Sequence, residues 1–423
     1  MDLHDTPKGL RLHIGIFGRR NVGKSSLINA LTDRDVSIVS ATPGTTTDPV
    51  GKAMEMAPVG PVVFIDTAGT DDLGDLGALR RQRTASVLER VDVALLVAGP
   101  EGFGADEETL AAELRTHDTP TLVVFNKLDL GRPPQPDLDR LAADAIPAEL
   151  VSAATGQNIG ALREAITRLA PDDRFEAPHL VGDLVPAGEL AVLVVPIDLG
   201  APKGRLILPQ VQVIREILDS DAMCLVVKER ELRDALHRLD RKPRLVICDS
   251  QVVLKAVADT PPDVRLTTFS ILMARFKADL PKLARGAATI HRLQAGDRVL
   301  VAESCTHCPL ADDIGRVKIP RWLRQYVGTH LEIDICADSD LPADLTPYAL
   351  VIHCGGCMLT RKHMLARLYR AERQGVPMTN YGVAISLLQG VLPRALECFP
   401  AALAAYEAAR RSYTSETLPV ARS

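Results

Sequence analysis

Residues 18–25 read Gly-Arg-Arg-Asn-Val-Gly-Lys-Ser, which matches the phosphate-loop pattern GxxxxGK followed by Ser or Thr. Their surroundings decide the fold of the N-terminal third. Upstream, Leu10, Leu12, Ile14 and Ile16 alternate with other residues as far as Phe17, the period of a strand. Downstream, residues 26–31 open a helix. A strand that turns through glycines into a helix is the setting a phosphate loop requires. Glycine lets backbone N–H groups face phosphate oxygens, and the helix N-terminus adds favourable partial charge. In that frame Gly18, Asn21, Val22, Gly23 and Ser26 shape the cradle. Lys24 reaches the β- and γ-phosphates, and Ser25 ligates Mg2+.

Further parts of a GTP site arrive in order. Residues 62–65 form a strand ending in Asp66-Thr-Ala-Gly69, where Asp66 holds Mg2+ through water and the Gly69 N–H meets the γ-phosphate. Residues 122–125 form another, ending in Asn126-Lys127-Leu-Asp129. A carboxylate at Asp129 pairs with the N1–H and N2–H2 donors of guanine, which adenine lacks. Ser152-Ala153 fits the last guanine contact. Residues 41–48, ATPGTTTD, lie where a switch loop belongs, with a threonine that meets Mg2+ only when the γ-phosphate is present.

On these motifs the N-terminal third resembles the TrmE–Era–EngA class of GTPases. The resemblance puts the Mg2+-binding threonine at Thr46, between Thr45 and Thr47, and gives Lys24, Thr46, Asp66 and Gly69 the catalytic roles. Thr70 stands where Ras-like enzymes carry a water-orienting glutamine. Asn21 matches the asparagine that binds K+ in potassium-activated members. The resemblance therefore implies slow GTP hydrolysis, helped by K+ rather than by an arginine finger.

At 423 residues the chain exceeds one ordinary core, so several domains are expected. Its net charge of −5, with acids and bases interspersed, argues against a dedicated nucleic-acid surface. No apolar run approaches the roughly 20 residues of a membrane span. The start, MDLHDTPKGL, has no apolar signal segment. A cytoplasmic protein without membrane or nucleic-acid partners is expected. Its eight cysteines should then stay reduced, and clustered ones point to metal.

After a linker at residues 171–174 the texture changes. Strands are expected at 190–197, 222–227 and 245–248, and helices at 210–218 and 231–239. This small α/β unit carries no catalytic constellation and suits association. Cys224 and Cys248 sit in apolar runs and read as core thiols.

In the last third, strands at 298–302, 331–335, 350–352 and 376–379 alternate with helices at 321–327 and 361–374, the latter with a basic outer face. Alternation implies a parallel sheet, whose strand ends share the edge where ligands bind. Two clusters fall on that edge: Cys305, His307 and Cys308 after one strand, and His353, Cys354 and Cys357 after another. Gly355-Gly356 allows a tight turn between the last two thiols. Four cysteines in two CxxC pairs fit a structural zinc site. Thiolates in this number also fit a 4Fe–4S cluster, with one iron open if only three cysteines ligate. The interleaved histidines favour the cluster. Cys336 and Cys398 read as core residues, and Asp312 and Asp313 as helix caps or neighbours of the cluster loop.

The segments SCTHCPLADDIGRVKIPRWL (304–323) and HCGGCMLTR (353–361), behind a TrmE-like GTPase domain, resemble the HydF family of FeFe hydrogenase maturation GTPases. The likeness spans essentially the whole chain. It implies an α/β protein with a GTPase domain at 1–172, a dimerisation domain at 180–265, a cluster-binding domain at 266–410 and a loose tail at 411–423. It implies a homodimer that binds GTP, Mg2+ and K+ and holds a 4Fe–4S cluster on Cys305, Cys354 and Cys357, with His307 and His353 beside it. Its cargo is a diiron precursor made with the radical-SAM proteins HydE and HydG and passed to apo-hydrogenase. Cys308 departs from the family's Cys-x-His pattern. It is either a fourth ligand or a bystander turned away by Pro309. The competing reading is a GTPase of tRNA modification or ribosome assembly with a structural zinc domain. The low charge and the lack of a KH-like GxxG loop weigh against it.

Overall fold

The structure is a computed structural model, and it describes residues 9, 11–32, 51–56, 59–66, 87–117, 119–170, 178–196, 206–304, 313–337 and 341–416. The chain divides into two compact units, Met1–Ala177 and Pro178–Ser423.

The first unit contains β1 (Leu12–Phe17), α1 (Lys24–Leu31), β2 (Gly51–Met56), β3 (Gly60–Asp66), β4 (Val93–Ala98), α2 (Ala105–Thr116), β5 (Thr121–Phe125), α3 (Gln135–Ala143), β6 (Ala148–Leu150) and α4 (Ile159–Leu169). The strands run β2-β3-β1-β4-β5-β6, parallel except that β2 pairs antiparallel with β3 at the edge. β4 shows why the sheet is covered on both faces. Val93, Leu95 and Val97 join the core of Ile14, Ile16 and Leu27, while Ala94, Leu96 and Ala98 join that of Phe17, Leu110 and Leu114. A strand buried on both sides is a continuous apolar run rather than an alternating one. Strand order reverses between β1 and β4, and the crevice outside the carboxyl ends there is where such sheets bind ligands.

The second unit contains β7 (Leu190–Val194), α5 (Leu208–Asp219), β8 (Met223–Val227), α6 (Leu232–Arg238), β9 (Leu245–Cys248), α7 (Val253–Asp259), β10 (Arg265–Thr268), α8 (Phe269–Lys277) and α9 (Leu280–Ala287). It continues through β11 (Arg298–Ala302), α10 (Ile319–Val327), β12 (Glu332–Cys336), β13 (Leu350–His353), α11 (Arg361–Arg373), β14 (Met378–Asn380), α12 (Tyr381–Leu388), α13 (Leu392–Leu396) and α14 (Pro400–Glu416). Two parallel four-stranded sheets result, β10-β9-β7-β8 and β12-β11-β13-β14. One apolar cluster reaches from Leu180 to Tyr406 and serves both.

Several expectations shift against these elements. The strand expected at 190–197 ends at Val194, just ahead of Pro196, which has no N–H for the ladder. The division expected at 265/266 falls inside β10, whose four residues all pair with β9. A loose tail is expected from 411, yet α14 continues to Glu416. Its sequence, Ala-rich with Glu and Arg, is made of strong helix formers, and Ala402 and Tyr406 anchor it in the core. The helix at 361–374 is not simply basic outside: His363 and Arg367 turn inward and are buried. Cys248 lies in the core, and Cys398, at the turn before α14, has its thiol pushed up to about 11 by burial. Cys224 and Cys336, expected in the core, are only half-buried, because β8 and β12 are edge strands covered on part of their surface; partial burial still raises the Cys224 thiol.

Candidate functional site

The first site is built at the carboxyl ends of β1, β3, β5 and β6. The chain leaves β1 at Gly18 with φ 137, where a Cβ would lie 2.2 Å from the Val97 carbonyl oxygen. Only glycine fits between β1 and β4 there. Asn21 (φ 64) and Gly23 (φ 93) continue the left-handed path, and Gly23 caps α1. Val22 is buried beneath the loop, while Ser25 and Ser26 are exposed.

Lys24 is buried at the start of α1. Its Nζ donates to Gly18 O and Arg19 O, both at 2.7 Å, so the ammonium stands inside the loop that is to hold phosphate. Ser25 Oγ lies 3.2 Å from Asp66 Oδ2. These are the two groups expected at Mg2+, brought together from residues 41 positions apart.

The loop expected to read guanine is tied into the same frame. Asn126 is buried, and its Nδ2 donates to Val22 O at 3.0 Å while its Oδ1 accepts the Ala153 N–H at 3.0 Å. Lys127, at φ 64, reaches Asn21 O with Nζ at 2.6 Å. Ser152 Oγ donates to Asp129 Oδ1, which fixes the carboxylate that the base is to meet. Arg19, which carries no expected role, pairs at 2.6 Å with the buried Glu107 of α2 and steadies the loop from its other side. Thr46 and Gly69, with Thr45, Thr47 and Thr70, lie outside the described residues.

The second site stands at the carboxyl edge of the β12-β11-β13-β14 sheet. β11 and β13 are adjacent and parallel, with Ala302 opposite His353, so Ser304 and Cys354 leave the sheet side by side. The Cys354 N–H bonds Ala302 O at 2.8 Å, and Ser304 N–H points at Cys354 Sγ at 3.2 Å. Gly356 (φ 60) makes the turn to Cys357; a Cβ there would lie 2.9 Å from Met364 Sδ. Buried Lys277 closes the loop by bonding Leu359 O at 2.9 Å.

The chemistry of the described donors fits a thiolate-bound metal group. Cys354 is nearly buried and its sulfur already accepts a backbone N–H, the kind of contact that stabilises a ligating thiolate. Cys357 follows on the same edge. Among the described residues no three His, Cys, Asp or Glu side chains converge as a complete metal site. Cys305, His307, Cys308 and Asp312 lie outside the described residues. Asp313 acts as a cap, accepting the N–H groups of Gly315 and Arg316.

His353 departs from a ligand's geometry. It is fully buried; Nδ1 faces Cys354 O at 2.7 Å, and Nε2 faces Arg367 Nη1 at 2.7 Å and Ser304 Oγ at 3.2 Å. Both ring nitrogens are engaged by the protein, so the residue sits beside the thiols without a nitrogen aimed at metal. Sequence reading missed Ser304, His363 and Arg367. The only available signal was His363 and Arg367 four apart in a helix, a spacing that puts them on one face.

Comparison with known proteins adds the rest. The model of the hydrogen maturase F dimerization domain matches residues 180–278, and that of the hydrogen maturase F tetramerization domain matches residues 281–398. A model described as 50S ribosome-binding GTPase matches residues 13–127. The chain belongs to the HydF family. Both HydF-specific matches fall in the second unit, and the GTPase match falls in the first.

Other likenesses concern the GTPase part. GTPase Der of Wolinella succinogenes is 33% identical over 178 residues, covering 40% of this chain and 37% of Der. The tRNA modification GTPase MnmE of Koribacter versatilis is 35% identical over 162 residues, covering 37% of this chain and 34% of MnmE. The HydF-family chain thus spans little more than a third of these relatives. A crystal structure of Aquifex aeolicus Era with bound GDP and AlF4− shares 24% identity with a TM-score of 0.32, over 54% of this chain and 68% of that one.

Proposed function

We propose that this chain is a GTP-hydrolysing scaffold of FeFe hydrogenase maturation. It holds a 4Fe–4S cluster through Cys305, Cys354 and Cys357 and carries a diiron precursor to apo-hydrogenase. One observation carries the cluster assignment beyond family membership: Cys354 ends β13 beside the end of β11, with its sulfur already accepting the Ser304 N–H. β11, beside β13 in the sheet, is also the strand that precedes Cys305 in the sequence, which favours a shared edge for the two cysteine clusters. When bound, the cluster would supply an open iron on or near which the precursor is carried. The chain's own residues bind and orient it and exclude water from the buried side of Cys354.

In the first unit, Lys24 leaves Gly18 O and Arg19 O for phosphate, Ser25 and Asp66 hold Mg2+, and Asp129 reads guanine. Thr46 and Gly69 complete the γ-phosphate contacts in this proposal, and Asn21 holds K+. Turnover is slow because no glutamine stands at Thr70. HydE and HydG supply the cargo, and the chain works as a homodimer. Among the described residues no helix is long and apolar enough to cross a membrane.

The test is hydrogenase activation with purified components. Wild-type chain loaded by HydE and HydG should activate apo-hydrogenase, and Cys354→Ala should not, while its GTP turnover stays at the wild-type rate. Activation by the Cys354→Ala chain would remove the cluster from the function. GTP turnover should rise in KCl relative to NaCl; equal rates would remove K+ from the mechanism.

A further inference from the structure

Arg367 lies on the inner side of α11 and is 3% exposed. Burying an ion costs on the order of several kcal/mol unless its hydrogen bonds are met. Here the guanidinium reaches across to the strand ends. Nη1 lies 2.6 Å from Ser304 Oγ and 2.7 Å from His353 Nε2, and Nε lies 3.3 Å from His363 Nε2.

These contacts fix more than the arginine. A guanidinium only donates, so Nε2 of His353 must be the acceptor. The ring proton therefore stands at Nδ1, where Cys354 O accepts it at 2.7 Å. The same Nη1 holds the Ser304 hydroxyl, and the Ser304 backbone N–H meets Cys354 Sγ at 3.2 Å. Two chains of contact thus run from Arg367 to Cys354, one through Ser304 to the sulfur and one through His353 to the carbonyl.

We propose that Arg367 is a positioning residue for the Cys354 thiolate. It clamps the ends of β11 and β13 together, keeps the His353 imidazole off the metal, and places fixed positive charge behind the sulfur. Outer contacts of this kind orient a ligand and tune what it binds. The role rests on the cluster reading above, but the clamp is present in the protein without metal and is tested there as well.

The experiment compares wild type, Arg367→Met, Arg367→Lys and Ser304→Ala in the full chain, each checked for folding by thermal melting. In the metal-free protein with 15N-labelled histidine, wild-type His353 should show a single Nδ1–H tautomer. Arg367→Met should admit the Nε2–H form, and Arg367→Lys, which keeps a donor, should retain most of the Nδ1–H form. After anaerobic reconstitution with iron and sulfide, Arg367→Met should lower the cluster's reduction potential and release iron to a chelator about tenfold faster. Ser304→Ala keeps the backbone N–H and should shift both in the same direction by less.

A folded Arg367→Met chain with wild-type tautomer, potential and iron release overturns the proposal. So does an altered tautomer with unchanged potential and release, because the clamp would then not reach Cys354. If wild type takes up zinc and forms no cluster, the scaffold reading fails on its own. Arg367 is then judged by the tautomer and by zinc release, where an unchanged rate overturns it.

Discussion

Asn126, expected to read the nucleotide, also holds its site together. Its amide joins Val22 of the phosphate loop to Ala153 of the loop after β6, and the side chain is buried between them. Asn126→Ala should leave both partners unsatisfied, at about 1–3 kcal/mol for each buried group. We expect a lower melting temperature and weaker GTP binding together, measured by calorimetry and by nucleotide titration. Asp129 behaves differently, since its side-chain contact among the described residues is to Ser152 Oγ. Asp129→Asn should keep the fold and exchange guanine for a base with a carbonyl at C2, read as a preference for XTP over GTP in competition. Lys24, Ser25, Asp66, Asn126 and Asp129 were singled out in the sequence because phosphate and guanine dictate residue types at fixed offsets, and the structure brings Ser25 beside Asp66 and Asp129 beside Ser152. Arg367 was not. Its partners are Ser304 and His353, 63 and 14 positions away, and nothing local says that a basic helical residue turns inward.

At the scale of elements, the strands that end in a motif were the ones the sequence announced: β1, β3 and β5 for nucleotide, β11 and β13 for the thiols. β4 has the most uniform apolar run of its sheet yet carries no motif, so motif-led reading passes over it. The helices α8 and α9 are likewise missed: α8 is buried on most of its surface and gives no one-sided stripe, while the stripe of α9, Leu280, Leu283, Ala284 and Ala287, is only eight residues long and holds Pro281 and Gly286. The turn after β13 was legible from Gly355-Gly356, and the structure places the left-handed residue at Gly356. Gly356→Ala meets both a strained φ and a Cβ 2.9 Å from Met364 Sδ. It should cost about 1 kcal/mol or more in stability and displace Cys357 relative to Cys354. The check is iron retained per chain after reconstitution, expected to fall well below wild type, while GTP binding is unchanged.

At the scale of the whole molecule, the family models of dimerization and tetramerization domains mark the chain as self-associating. The second unit offers a surface for it. β8 is an edge strand with Met223 and Val226 exposed, and Val211 and Leu218 stand exposed on α5. An edge left unpaired among the described residues, beside exposed apolar groups, is a template for a second copy. Val226→Lys should therefore shift the chain toward monomer in sedimentation without changing GTP binding; an unaltered oligomer would place the interface elsewhere. Which face meets the second copy lies in exposure, which a sequence does not print.

In the proposed function, the edge of the last sheet carries an iron–sulfur cluster on three cysteines. Its most direct measurement is elemental analysis for iron and zinc beside EPR of the reduced, anaerobically reconstituted chain, with Cys308→Ala in parallel. Both proteins should give a 4Fe–4S signal with stoichiometric iron, shifted when cyanide or imidazole is added to the open iron. Stoichiometric zinc with no cluster signal would contradict it.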